Sequence, residues 1–497
     1  GGRGRRAVLG AALTVSILVL LLPARTWSLP QPAGLAGTRS NEVRGTSVRP
    51  LKGRTTLRNQ VEDAATEEAA PSKATVLSTV VSLSKSMLGS GALSLSAGVA
   101  AFTNTSQGLL VATLIIVAMT ALCAYTFQKV AVVSADTGTD DLGTAWSASV
   151  GRFAWLPRVA VGTLSGITCT VYSMILGDLL SGFVQSFVAS VPAFGALKPW
   201  CGRGPVLISL TVFVLLPMCL AEDFSSLAFT SMLGLVACFY LAAFSVLRAV
   251  DGSYLHGGKF FRFAPFPPAA LAGASKLSDA INPRVLVFLS NISTAYMNHG
   301  MAPATYQELA RSNPKLSTKR ILGRYALAVL GAFLIAGGVC TSLMAAGFFT
   351  FGANTQGLLL ANYATRDVAA SLGKLGVMTS ILCGFPLNFM LLRAEVAAAV
   401  NKGDGPLARS SLRLLTVALL AASTGSALVL KDLGKVQAVT GATFGSFIVF
   451  MAPAFMARGL RRQRGETQPL RAAEEVLLLM CGFLLGSLGV VLSIARK

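Results

Sequence analysis

The feature that most constrains this chain is a series of long apolar segments, separated by polar loops, that fills the sequence from residue 76 to residue 494. A helix needs about 20 apolar residues to cross the hydrocarbon core of a bilayer, whereas the strands of a membrane barrel alternate in polarity over about ten residues. The lengths here fit helices. We therefore predict an all-α polytopic membrane protein with about eleven transmembrane spans, at residues 76–102, 107–128, 156–187, 205–221, 224–247, 285–305, 325–350, 371–392, 411–430, 436–457 and 475–494.

The composition agrees with a membrane protein. Hydrophobic residues make up 53% of the 497 and charged residues only 13%, which is about half of the charged fraction of a soluble domain. The net charge of +21 does not indicate nucleic-acid binding, because residues 1–60 hold ten basic residues against one acid and most of the others lie in short loops. Positive loops orient membrane helices. We predict the lipid bilayer, and no nucleic acid, as a partner.

Metal-binding and catalytic patterns are missing from the sequence. The eight cysteines are spread singly, with no pair at the spacing of a metal site, and the only histidines are His256 and His299. Neither an H-E-x-x-H nor a G-x-S-x-G motif occurs. We predict no metal site, no cofactor and no enzymatic activity.

The first 59 residues have the composition of a targeting leader. A basic start and the 16-residue apolar stretch from Ala7 to Leu22 predict a signal peptide at 1–27. Residues 28–59 are rich in Arg, Ser, Thr, Pro and Gly, as in a transit peptide. The pair resembles the bipartite leaders of plastids of secondary origin, so we predict a plastid membrane; a vacuolar or other secretory-route membrane and an uncleaved anchor are the alternatives. A polar segment at 60–75 and the transmembrane domain at 76–495 follow.

Basic residues in short loops predict the orientation. We call the side of residues 60–75 side A and the opposite side side B. The short side-A loops after the sixth, eighth and tenth spans hold Arg311, Lys315, Lys319, Arg320, Arg324, Lys402, Arg409, Arg413, Arg458, Arg461, Arg462, Arg464 and Arg471. The positive-inside rule makes side A the cytosol or its equivalent, with the C terminus on side B.

Two spans carry a polar interruption near their centre. The first holds Gly89-Ser90-Gly91, where two glycines let the backbone unwind beside a cavity; close helix packing is the alternative. The sixth holds the polar run 290–294, five spans later. Discontinuous helices near the midplane are the usual ligand site of inverted-repeat transporters. The pairing predicts two repeats of five helices and one extra helix.

Six motifs in order along residues 75–495 carry a family resemblance. They lie at 83–95, 172–178, 216–234, 295–309, 385–393 and 441–445. Together they resemble the amino acid/auxin permease family, with its neutral and vacuolar amino acid transporters. The resemblance implies a LeuT-like 5+5 inverted-repeat fold with helices 1 and 6 discontinuous, and secondary transport of amino acids.

The resemblance also implies where the substrate binds. Its carboxylate is expected at the backbone of Met87, Leu88, Gly89, Ser90 and Gly91. Its amino group or side chain is expected at Asn291, Ser293 and Thr294. This agrees with physics, since helix N-terminal N–H groups suit an anion and exposed carbonyls suit an ammonium group.

One departure from the family bears on the coupling ion. Sodium-coupled members have an Asn at the position of Lys85 in this chain. They also use a hydroxyl of the eighth helix, at a place where this chain has Leu382, Cys383 and Gly384. Sodium needs oxygen ligands, and an ammonium group would repel it. We predict coupling to protons and not to sodium, with Lys85 at the cation position; a Lys85 that snorkels to side A is the alternative.

Two further titratable residues inside spans are candidates for coupling or gating. Asp178 lies deep in the third span; the alternative is that its side chain extends to the membrane interface on side B and has no coupling role. His299 lies late in the sixth, where a hydrogen bond between helices is equally expected. The alternative function for the whole chain is an amino-acid sensor with little transport that signals to a partner protein.

Overall fold

The structure is a computed structural model that describes residues 74–220, 228–272, 282–400 and 408–495. The predicted leader at 1–59, and the polar segment up to residue 73, lie outside the described residues. The α-helices of the described residues are α1 (Val76–Met87), α2 (Leu95–Phe102), α3 (Ser106–Thr137), α4 (Leu142–Ser149), α5 (Trp155–Ser190), α6 (Arg203–Leu210), α7 (Leu216–Leu220), α8 (Ala228–Asp251), α9 (Val285–Ala295), α10 (Ala302–Ser312), α11 (Thr318–Phe351), α12 (Leu359–Asn362), α13 (Val368–Val400), α14 (Arg409–Val429), α15 (Leu433–Thr440), α16 (Ala452–Gln463) and α17 (Pro469–Ile494).

These helices account for the eleven predicted spans. Among the described residues, nine helical segments are long and apolar enough to cross a membrane, and the bent first span makes ten. The sixth predicted span is the exception, because it consists of two eleven-residue helices, α9 and α10, that are each too short to cross alone. The prediction of an all-α polytopic membrane protein is confirmed.

The first span breaks where the sequence predicts. Helix α1 begins at a capping box formed by Thr75 and Ser78 and ends at Met87. Gly89 is extended, with φ −116° and ψ −156°, and a short 3-10 helix at Ser90–Ser94 leads into α2. The two parts of the span meet at an angle of 46°. An unwound stretch of this kind exposes backbone N–H and carbonyl groups in the middle of the domain.

The sixth span is also discontinuous, but its break lies later than the sequence suggests. The polar run 290–294 is helical and belongs to α9. Its serines donate to carbonyls four residues back, Ser290 to Leu286 and Ser293 to Leu289, so the helix accommodates them. The chain leaves the helix after Ala295 and resumes it at α10. Pro303 lies in the first turn of α10, where a proline favours a helix start.

Glycines let neighbouring helices approach α9 closely. A Cβ added to Gly91 would lie 2.7 Å from the Cα of Ala295, and one added to Gly445 would lie 2.9 Å from the Cβ of Ser293. Gly441, one turn before Gly445, also lies against the backbone of α9, and small residues spaced in this way let helices pack closely. Close backbone contact fixes α9 between the first and tenth spans.

On side B, residues 352–367 between α11 and α13 fold inward; we call them the side-B cover. The cover includes a 3-10 turn at Gly352–Asn354 and the short helix α12. Leu358, Leu359 and Leu360 are buried. Helix α12 contacts α5 and the 3-10 helix at Ser90–Ser94. The cover therefore lies over the side-B face of the first break.

Candidate functional site

The two breaks touch each other directly. The side-chain amide nitrogen of Asn298, in the second break, donates to the Ser86 hydroxyl in the last turn of α1 at 2.5 Å. The Ser86 hydroxyl in turn donates to the carbonyl oxygen of Leu83. Beside the first break, the Cys238 thiol of α8 donates to the carbonyl oxygen of Leu88 at 3.5 Å. The unwound backbone of both spans is thus brought to one place.

Open space lies beside this contact. A Cβ added to Gly89 or to Gly300 would meet no atom within 4 Å, and both residues are exposed. Gly91, only two residues after Gly89, is instead buried against α9. The first break therefore has one side that faces free volume and one side that packs.

A polar route leads from side A to the break. Exposed residues of α1 recur along one helix face at Thr75, Ser78, Ser82, Ser86 and Gly89. A cavity of about 140 Å³ lies between α1 and α10, the side-A parts of the two broken spans. It is lined by Ala74, Ser78, Thr79, Ser82, Thr305 and Glu308. A polar, exposed face inside an apolar domain is what a solute pathway requires.

On side B, a buried carboxylate holds the cover in place through an ion pair and hydrogen bonds. The Asp367 side chain is 1% exposed, and its two oxygens accept from Nε and Nη2 of Arg248, each at 2.8 Å. The Tyr254 hydroxyl donates to Asp367 at 3.1 Å and accepts from the backbone N–H of Ala364 in the cover. Burial, together with the Asp367 carboxylate, raises the pKa of the Tyr254 hydroxyl, which therefore stays a donor. A buried ion pair of this kind is stable because its hydrogen bonds are satisfied.

A residue of the tenth span joins both broken spans. The side-chain amide of Gln437 in α15 donates to the Ser90 hydroxyl at 3.1 Å. Its backbone carbonyl accepts from the Thr294 hydroxyl of α9 at 2.7 Å. The Gln437 side chain is buried. Three elements of the site therefore meet at a single residue.

The predicted carboxylate-binding residues lie at the first break, but they differ in surroundings. Met87 and Leu88 are buried, Ser90 is half-buried and bonded to Gln437, and only Gly89 is exposed. Gly91 packs against Ala295. Their contact with the substrate stays a prediction, with Gly89 best placed for it.

The residues predicted for the substrate's amino group lie in α9, before the second break. The amide nitrogen of Asn291 lies 3.5 Å from the carbonyl oxygen of Ser94, and Asn291 is fully buried. The hydroxyls of Ser293 and Thr294 donate to backbone carbonyls. Asn291 and Thr294 thus reach neighbouring elements, while Ser293 bonds within α9, and a direct role of the three toward the substrate stays a prediction.

The three coupling and gating candidates lie in different places. Lys85 is half-buried in the last turn of α1, just before the break. Asp178 pairs with Arg203 at the start of α6, with 2.7 Å between its carboxylate oxygen and Nε, toward side B. His299 is fully buried, with its Nε2 2.9 Å from the Thr126 hydroxyl of α3. Only Lys85 lies on the helix that carries the exposed route from side A.

Sequence reasoning missed Gln437 and Asn298 as site residues. Both are amides within or beside motifs whose family resemblance was noted, at 441–445 and 295–309. An isolated amide inside an apolar span costs free energy unless it finds a partner, and that cost was the available signal. Which partner each one finds depends on contacts across more than a hundred residues of sequence.

Comparison with known proteins gives a consistent result. A family model described as "Transmembrane amino acid transporter protein" matches residues 72–495. The chain is similar to "Amino acid transporter AVT6E" of Arabidopsis thaliana, with 24% identity over 84% of this chain and 83% of that protein. It is also similar to "Vacuolar amino acid transporter 5" of Schizosaccharomyces pombe, with 26% identity over 77% and 83%. A third relative is the human "Sodium-coupled neutral amino acid transporter 7", with 24% identity over 67% and 68%.

A solved structure shares the fold. The crystal structure of MhsT in complex with L-phenylalanine superposes with a TM-score of 0.50 at 14% sequence identity, covering 84% of this chain and 98% of that one. At that identity the likeness concerns architecture alone. The LeuT-like fold with two broken helices is therefore confirmed.

Proposed function

The chain belongs to the transmembrane amino acid transporter protein family, and we propose that it is a secondary carrier in which protons, and not sodium ions, drive the movement of amino acids. One observation carries this proposal. Asn298 of the second break bonds to Ser86 in the last helical turn before the first break, beside open space at Gly89 and Gly300. Backbone N–H and carbonyl groups at a helix break suit the charged ends of an amino acid.

Access to the site is unequal on the two sides, as a carrier requires. The exposed face of α1 and the cavity beside it lead from side A toward the break. On side B, the cover is buried and fastened through Asp367 and Arg248. A carrier alternates between such a state and its opposite, so this arrangement corresponds to a side-A-open state.

Proton coupling is proposed from Lys85. Lys85 lies in the last turn of α1, next to the break, at the position where the sodium-coupled members it resembles have an Asn. One relative is called sodium-coupled, whereas the name of the vacuolar relative states no ion. A charged side chain at this depth costs free energy and by default indicates a function.

Uptake into proteoliposomes tests the proposal. The full chain is reconstituted, sodium is replaced by choline, and a panel of radiolabelled amino acids is offered with and without an imposed pH gradient. We expect uptake of at least one substrate class to follow the pH gradient and to be unaffected by sodium. Sodium-dependent uptake would overturn the coupling proposal, and binding without uptake would favour the sensor alternative.

The role of Lys85 is tested by a matched pair of variants. Lys85→Met removes the titrating group, and we expect its residual uptake to lose the response to the pH gradient. Lys319→Met makes the same change at an exposed side-A position near the start of α11, and we expect the wild-type response. An unchanged pH response in Lys85→Met would show that the proton is carried elsewhere.

We also propose that the protein resides in a membrane of a complex plastid, because of the composition of residues 1–59. The test is a C-terminal fluorescent fusion of the full chain in an alga with a secondary plastid. Fluorescence that rims the chlorophyll signal is the expected result. Fluorescence on the vacuolar membrane would contradict it and would favour the secretory alternative.

A further inference from the structure

Helix α15 runs between the side-B cover and the substrate site. In its first turn, Gly434 lies so close to Gly357 of the cover that a Cβ on Gly357 would overlap its backbone. In the next turn, Gln437 bonds to Ser90. One turn of a helix advances about 5.4 Å, so the cover contact and the site contact are rigidly linked.

Two hydrogen bonds, one from its side chain and one to its backbone carbonyl, hold Gln437 in place. Its side chain is 3% exposed, so the amide depends on Ser90 for its hydrogen bond. Its backbone carbonyl receives the Thr294 hydroxyl, which fixes α15 against α9. Ser90 directly follows Gly89, the residue that faces open space. The amide therefore sets the position of the unwound backbone just where the substrate is expected.

Resting on the proposed function, we propose that Gln437 is a positioning residue: through its hydrogen bond to Ser90 it holds the first break in the substrate-binding geometry and ties that geometry to the side-B cover. Gln437 itself does not touch the substrate. Loss of the bond lets the break relax, so substrate affinity falls while the rate of the transport cycle at saturation changes little.

The test measures KM and maximal rate for uptake of one transported amino acid by the full chain. A net hydrogen bond corresponds to a change of about threefold to tenfold in affinity. We expect Gln437→Leu to raise KM by about fivefold with a maximal rate within about twofold of wild type. Ser90→Ala removes the same hydrogen bond from its other partner, and we expect the same rise in KM. The double variant is expected to have the KM of either single variant.

A matched substitution controls for the loss of a buried glutamine. Gln128 in α3 is also buried, and its side-chain amide donates to the backbone carbonyl of Leu322 in α11 at 3.4 Å. Gln128→Leu is expected to leave KM unchanged. If Gln437→Leu does not fold, Ser90→Ala still tests the proposal. An unchanged KM in Ser90→Ala, or a double variant whose KM is the product of the two single effects, would overturn it.

A second readout follows the link to the cover. We expect saturating substrate to slow backbone hydrogen exchange in residues 352–367 of the wild type, and to do so much less in Gln437→Leu at equal occupancy. Equal protection in both would overturn the link. Absence of wild-type uptake would count against the proposed function and not against Gln437, since the comparison is made relative to wild type.

Discussion

Two glycines two residues apart in the first break have opposite environments. Gly89 borders open space and has φ −116°, which alanine readily adopts. Gly91 lies against Ala295, with room for no further atom. We expect Gly91→Ala to lower stability by about 1–3 kcal/mol through overpacking, seen as a lower Tm in detergent.

Gly89→Ala is expected to impair transport and to leave stability unchanged. Its Tm should stay near that of wild type, while KM should rise about tenfold or more, because a methyl group enters the space expected for the substrate. Uptake kinetics and thermal unfolding of the same two preparations check both expectations. A stable, normally active Gly91→Ala protein, or an unstable Gly89→Ala protein, would show that the two environments are assigned the wrong way round.

At the scale of residues, the sequence predicted the position of the first break but not the surroundings of its individual residues. The motif around Gly89 and Gly91 predicted an unwound segment, which the structure confirms. Nothing in the motif distinguishes the exposed glycine from the packed one, because that depends on where α9 lies. The hydrogen bond between Gln437 and Ser90 could not be predicted either, since the two residues are 347 positions apart in sequence.

The side-B cover gives a prediction at the scale of elements. Asp367→Asn removes the charge that accepts two hydrogen bonds from Arg248. Breaking a buried ion pair costs about 3 kcal/mol, so hydrogen exchange in residues 352–367 should speed up by roughly a hundredfold. Mass spectrometry of the exchanged protein measures this.

Asp251→Asn is the matched control. Asp251 also pairs with Arg248, at 2.8 Å, but its side chain is 30% exposed and it lies at the end of α8, outside the cover. We expect little change in exchange of residues 352–367 in this variant. Equal acceleration in both variants would mean that Arg248, and not its contact with Asp367, governs the cover.

The positions of the spans were predicted well, because they follow from the length of the apolar segments. The position of a helix break was predicted less well, because it depends on local hydrogen bonding. Ten of the eleven spans correspond to apolar helical segments among the described residues, counting the bent first span. The break in the sixth span was expected in the polar run 290–294, yet it falls after Ala295. Serine and threonine satisfy their hydroxyls within a helix, so polarity alone did not locate the break.

At the scale of the whole molecule, three features occur together: two broken spans that contact each other, a polar route on side A, and a cover held in place on side B. Apolar segment lengths and the spacing of the two breaks made the repeat architecture predictable. Closure on side B was not predictable, because it arises from contacts of the cover with Arg248 and Tyr254, which are more than a hundred residues away in sequence.

Proton coupling is tested most directly by measuring proton movement itself. The full chain is reconstituted into sodium-free vesicles that contain a pH-sensitive dye, and a transported amino acid is added outside. We predict that the lumen acidifies as the amino acid enters, and that Gly89→Ala needs about tenfold more substrate for the same rate. Uptake without acidification, or acidification only after sodium is added, would contradict a proton-coupled carrier built around these two breaks.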